Sequence, residues 1–307
     1  MYCIEHNLSN VNGEIENLKE VFKGRYIAKI EWECDSMSGD ELLLAACANV
    51  ILFCVGTFIA AILCIHAQRY AVDKYLLAPT AASREGVRGS TRTRGRLDVL
   101  DSSSRRAAVA CPLLGLALSL IAARLGPTLA CAQAILLTCI LFWASVVDVY
   151  ARRIPDPSIL VAVAAWLATL ALSASLGRPV GWALGRAAVG CCGLAVPALI
   201  AALVVGRARG RPGLGGGDLK LFLVVGLYFG LRWGAFVIVA SCVLGLLGEG
   251  LRVAHERVRG GPGAGCDYAR TPWEPGTFPL CPAVSCAAVV VMIVGGGDVL
   301  AWVPGCA

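Results

Sequence analysis

Residues 215–247 read GGGDLKLFLVVGLYFGLRWGAFVIVASCVLGLL, and the parsing of this stretch decides the architecture. Gly215, Gly216 and Gly217 carry an acid, Asp218, to the edge of a strongly apolar run, and Lys220 and Leu221 follow. Further on, Gly230, Arg232 and Gly234 interrupt the run. Read through, the stretch is one long helix. Read as interrupted, it is two, 219–231 and 233–251, with a tight turn between them. The glycines favour the turn, because glycine adopts backbone angles closed to other residues.

Runs of the same kind fill the rest of the chain. Of its 307 residues, 57% are hydrophobic and 16% charged, whereas a soluble domain has about a quarter charged. Apolar segments fall at 43–66, 108–123, 127–147, 158–176, 187–206, 219–231, 233–251 and 280–303. Most approach 20 residues, the length that crosses a hydrocarbon core of roughly 30 Å. Lipid offers no partner to backbone N–H and C=O groups, so such spans are helices. The predicted fold class is all-α, a polytopic transmembrane helical bundle of about eight spans. The net charge of +6 points to no nucleic acid, because the basic residues sit in loops between apolar runs.

Those loops orient the bundle. With the turn in place, loops 67–107, 148–157, 207–220 and 252–279 share one side and hold nineteen of the 27 Lys and Arg. The opposite loops hold only Arg124, Arg178, Arg186 and Arg232. Cytoplasmic loops are enriched in Lys and Arg, so the first side is expected to be cytoplasmic and the chain a multi-pass protein of the plasma (inner) membrane. One uninterrupted helix over 219–251 would put the basic loop after it on the wrong side.

The expected organisation is a polar tail at 1–36, a first transmembrane helix at 37–66, a basic cytoplasmic loop at 67–107 and a membrane-embedded region at 108–307. The tail holds four of the five Asn and has Ala only at Ala28. It lacks the basic, apolar and small-residue succession of a secretory signal. Two readings stay open: Met37 is the native start, or the tail from Met1 is a genuine extracytoplasmic segment. Most of the fifteen Cys lie within apolar spans, where Cys acts as a small hydrophobe. No C-x-x-C pair exists, and His6, His66 and His255 are scattered, so no metal site and no cofactor are expected.

A second acid, Asp148, lies in the boundary segment Asp148-Val149-Tyr150-Ala151-Arg152-Arg153-Ile154-Pro155-Asp156. It ends span three on the side where Asp218 begins span six. Acids beside hydrocarbon are costly unless paired, hydrated or functional. Two close carboxyls share a proton; the ionised one accepts a proton from water and the protonated one donates to a carbonyl oxygen. The glycines at 215–217 let a substrate backbone approach Asp218. Lys220, Arg152 and Arg153 are expected to bring positive charge near the pair or to anchor the membrane edge. A further GGGD, at Gly295–Asp298, lacks the following Lys and is read as helix-end glycine on the opposite side.

These residues resemble the type IV prepilin peptidases, bacterial leader peptidases of the GxGD class of membrane aspartyl proteases. The resemblance rests on Asp148 followed by Ile154, Pro155 and Asp156, where that family has Asn after Ile-Pro. It also rests on Gly215, Gly217, Asp218, Lys220 and Leu221, and on Pro279-Leu280-Cys281-Pro282 before the last span. It implies Asp148 and Asp218 as the catalytic pair, with Gly215, Gly216, Gly217, Lys220, Ile154 and Pro155 shaping the site. It further implies cleavage of the short basic leader of a prepilin or pseudopilin. Long members carry a zinc-binding insert tied to N-methylation; loop 67–107 has no Cys, so a processing-only member is expected. The alternatives are another GxGD protease, of preflagellin or signal-peptide-peptidase type, and a non-enzymatic transport or assembly protein.

Overall fold

The computed structural model describes residues 39–76, 109–177, 180–210, 215–258 and 279–299, and among these there is no strand. The helices are α1 (Gly39–Ala71, continued by a π turn over Val72–Leu76), α2 (Val109–Leu125) and α3 (Leu129–Ala151). They continue with α4 (Asp156–Ser175), α5 (Gly181–Arg209), α6 (Gly216–Val258) and α7 (Leu280–Val299). The tail at 1–36, the choice between Met1 and Met37, and residues 77–107 of the basic loop lie outside the described residues. By its internal packing the chain divides into Met1–Ile51 and Leu52–Ala307. The described part of the first unit is the leading portion of α1.

Local chemistry sets the helix ends. Thr128 caps α3, its hydroxyl accepting from the Cys131 N–H at 3.2 Å. At the other end Arg152 takes left-handed angles (φ 51, ψ 36) and donates its N–H to the Asp148 carbonyl at 2.8 Å, which stops the helix. Pro155 then opens α4, and Pro157 occupies its first turn, where a missing N–H costs nothing. Ser158 Oγ donates back to the Pro155 carbonyl at 2.7 Å.

The central question of the sequence has a definite answer. The hydrogen-bonded pattern of α6 runs on for 43 residues, but Gly230 inside it has φ 67 and ψ −170, angles only glycine tolerates. A Cβ built on Gly234 would lie 3.6 Å from the Val225 carbonyl oxygen. Nine residues of straight helix would separate those positions by about 13 Å. The chain therefore doubles back, and α6 has two arms, 216–229 and 231–258. The expected turn needs correction in detail: Gly230 alone leaves the helix, and Arg232 and Gly234 are helical. Other boundaries also move, and α3 runs on to Ala151 and α6 to Val258. The first helix extends past 66 to carry Arg69, and the fifth starts at Gly181 rather than 187.

Five helices, α1, α3, α4, α5 and α6, are long and apolar enough to cross a membrane, while α2 and α7 are apolar but shorter. Among the described residues the all-helical, multi-pass character therefore stands, with α6 counted once in that five; this count does not reach the expected eight spans. The hub is α3, with 61% of its span buried against 17% to 28% in the other four. Large apolar side chains such as Phe58, Leu160, Val204 and Leu246 face outward, as lipid contact requires. Small residues let helices cross closely. A Cβ on Gly226 of α6 would come within 2.6 Å of the Gly190 backbone of α5, and one on Gly56 of α1 within 3.1 Å of Gly115 of α2.

One buried polar network ties α3, α4 and α6. Gln133 Nε2 donates to the Tyr228 hydroxyl at 3.0 Å, Tyr228 donates to the Ala162 carbonyl at 2.8 Å, and Thr169 Oγ1 donates to Gln133 Oε1 at 2.8 Å. Each partner is satisfied, so burial carries no unpaired-group penalty. At that same end Arg186 Nη2 donates to the Phe229 and Val299 carbonyls, at 2.8 and 2.7 Å. It thereby ties the turn of α6 to the end of α7.

Candidate active site

At the opposite end, the end of α3 meets the starts of α4, α6 and α7. Asp148 lies one turn from the end of α3 and is 6% exposed. Asp218 lies in the first turn of α6 and is half-buried. The two carboxyls are close enough for their charges to act on one another, and Arg152 lies within the same electrostatic reach of Asp148. Residues 70 positions apart in sequence are thus neighbours in the fold.

The carboxyls have different supports. Asp148 Oδ2 accepts the backbone N–H of Cys281, in the first turn of α7, at 3.1 Å. The Asp218 carboxyl accepts a backbone hydrogen bond from Gly215 in its own glycine run. A Cβ on Gly215 would lie 3.1 Å from Asp218 Oδ2, so bulk there would crowd the carboxyl.

Two contacts join the segments that carry the acids. A Cβ on Gly217 would meet the Ile154 side chain at 3.2 Å, so the glycine lets the start of α6 settle against the α3–α4 connection. Lys220 Nζ forms an ion pair with Asp156 Oδ1, both ends largely exposed. The direct partner of Lys220 is thus Asp156, beside the pair of acids and not part of it. Pro155 is buried as the cap of α4, and Gly216 is exposed at the start of α6. Arg153 is exposed.

Residues 135–248 match the type IV leader peptidase family. The match runs from α3 to the second arm of α6, a little over a third of the chain. No curated protein and no solved structure gives a significant match. The matched segment contains Asp148, Ile154, Pro155, Asp156, Gly215, Gly216, Gly217, Asp218 and Lys220, the residues that meet at this end of the bundle. The α7 contact lies beyond it.

The near-copy at Gly295–Asp298 falls in the last turns of α7, at the end away from the two acids, and the Asp298 side chain lies outside the described residues. His66 accepts from Trp143 Nε1 at 3.2 Å. Among the described residues no three His, Cys, Asp or Glu side chains gather as metal ligands. The sequence reading missed Cys281, Ser145 and Ser285 at the base of Asp148. Its only signal was the pair of prolines, Pro279 and Pro282, around the start of α7.

Proposed function

We propose that the protein is a membrane aspartic endopeptidase that removes the short basic leader from a type IV prepilin or pseudopilin at the cytoplasmic membrane face. The observation that carries this reading is the meeting of Asp148 and Asp218 at one end of a helical bundle, within the segment that matches the type IV leader peptidase family. One carboxylate takes a proton from water as its oxygen attacks the scissile carbonyl carbon. The other carboxyl gives its proton to the carbonyl oxygen. The resulting tetrahedral species collapses, the C–N bond breaks, and the departing amine takes up a proton from the pair. The pair titrates as a unit, so the two roles are not divided between named residues.

Charge supports the cytoplasmic assignment. The end bearing the acids is the end of the Arg-rich loops, and a basic leader stays on that side. The absence of Cys from 67–107 supports leader removal without a zinc-linked methylation step. Co-expression with a prepilin, scored by leader removal, tests the reading. Asp148→Asn and Asp218→Asn are each expected to lose at least about 100-fold in rate, the scale of general acid–base catalysis. Asp298→Asn is expected to process normally. Full processing by either of the first two variants overturns the assignment.

A further inference from the structure

The site has a third side that neither aspartate segment supplies. The first N–H groups of a helix have no partner within it. At the start of α7, Pro279 and Pro282 have no N–H to offer. Among the rest, the Cys281 N–H points at Asp148 Oδ2, 3.1 Å away. Cys281 is completely enclosed, so water does not compete for this donor.

One turn deeper, a second contact sets the alignment of the same two helices. Ser145 precedes Asp148 by three positions on α3, and Ser285 follows Cys281 by four on α7, so each shares a helix face with its partner in the first contact. Their Oγ atoms are 2.6 Å apart. The Leu141 carbonyl lies 2.7 Å from Ser145 Oγ and 3.2 Å from Ser285 Oγ, and the Cys281 carbonyl lies 2.9 Å from Ser285 Oγ. One hydroxyl donates to the other, and the second donates to a helix carbonyl. Sliding α7 along α3 by one residue would break this pair and carry the Cys281 N–H about 1.5 Å from its acceptor.

We propose that the first turn of α7 is a positioning element for the reaction: the Cys281 backbone N–H fixes the Asp148 carboxylate, and the Ser145–Ser285 pair fixes the register that brings it there. The N–H occupies Oδ2 and leaves Oδ1 as the oxygen for proton transfer. This rests on the peptidase reading and deepens it, because it adds groups that act through Asp148 and touch no substrate.

The test uses the full chain in detergent micelles, with a purified prepilin precursor as probe and leader removal followed by gel shift. Cys281→Ala and Cys281→Pro both delete the thiol, and only the second deletes the N–H. Proline is tolerated in a first helical turn. The expected result is a kcat for Cys281→Pro at least about tenfold below that of Cys281→Ala, with KM within twofold; donor removal and small misplacements have effects of this order or larger. Equal kcat values for the two overturn the proposal. Ser285→Ala gives a second arm that decides if the proline variant does not accumulate. It is expected to lower kcat severalfold at unchanged KM, and Ser285→Thr, which keeps a hydroxyl, to restore it. Unchanged kcat in Ser285→Ala overturns the register assignment. Asp148→Asn separates the two levels. Activity in that variant overturns the catalytic role of Asp148 on which the proposal rests, and a wild-type chain that leaves the precursor uncut overturns the peptidase reading itself, whereas an inactive Asp148→Asn beside equally active Cys281→Pro and Cys281→Ala overturns only the role of α7.

Discussion

Gly217 has room for a hydrogen and little else. An added Cβ would sit 3.2 Å from the Cβ of Ile154 and 3.5 Å from its Cγ1, so a branched side chain there must push the start of α6 away from the α3–α4 connection. Asp218 is the next residue and would move with it. Gly217→Val is therefore expected to lower the rate of leader removal at least about tenfold, a loss in keeping with ångström-scale misplacement of a reacting group. Combining it with Ile154→Ala is expected to recover much of that loss in the same assay. No recovery would mean that the glycine serves substrate approach and not the packing. The Asp156–Lys220 pair is weaker by comparison. Both side chains are largely exposed and screened by solvent, so Lys220→Gln is expected to leave the thermal unfolding temperature in detergent nearly unchanged.

Among the elements, α6 is the one whose geometry depends most on a single residue. Gly230 sits at φ 67 and ψ −170, and a Cβ there would also meet Arg186 Nε at 2.8 Å. The arginine end can swing away; the backbone strain remains. Gly230→Ala is expected to destabilise the protein by about 1–3 kcal/mol, measured by thermal unfolding in detergent. The apolar runs and the two acids were legible in the sequence because lipid permits few solutions: a run of that length is a helix, and an acid at its edge needs a reason. The turn was legible as three suspicious residues, yet only one of them bends the chain, since Arg232 is accommodated within a helix. The direct partner of Lys220, Asp156, was not legible, because a sequence gives the sign of a charge and not which of three nearby carboxyls it faces. The Cys281 contact was beyond reading. It is made by a backbone N–H, which every residue except proline has.

For the whole molecule, the helices alternate between two ends. One carries Asp148, Asp218, the Asp156–Lys220 pair and the start of α7; the other carries the Arg186 cluster and the bend of α6. This alternation makes a labelling prediction. In a background free of other reactive cysteines, Lys220→Cys is expected to react with a membrane-impermeant maleimide only from the cytoplasmic side, and Arg232→Cys only from the opposite side. Reaction of both from one side would contradict a chain reversal at Gly230 across the membrane. The hydrogen bond from Cys281 to Asp148 joins residues 133 positions apart, and its donor lies on the final described helix. A ribosome thus releases both acids long before the group that orients one of them. On the proposed role of α7, the nascent chain reaches its full rate only once α7 has been inserted.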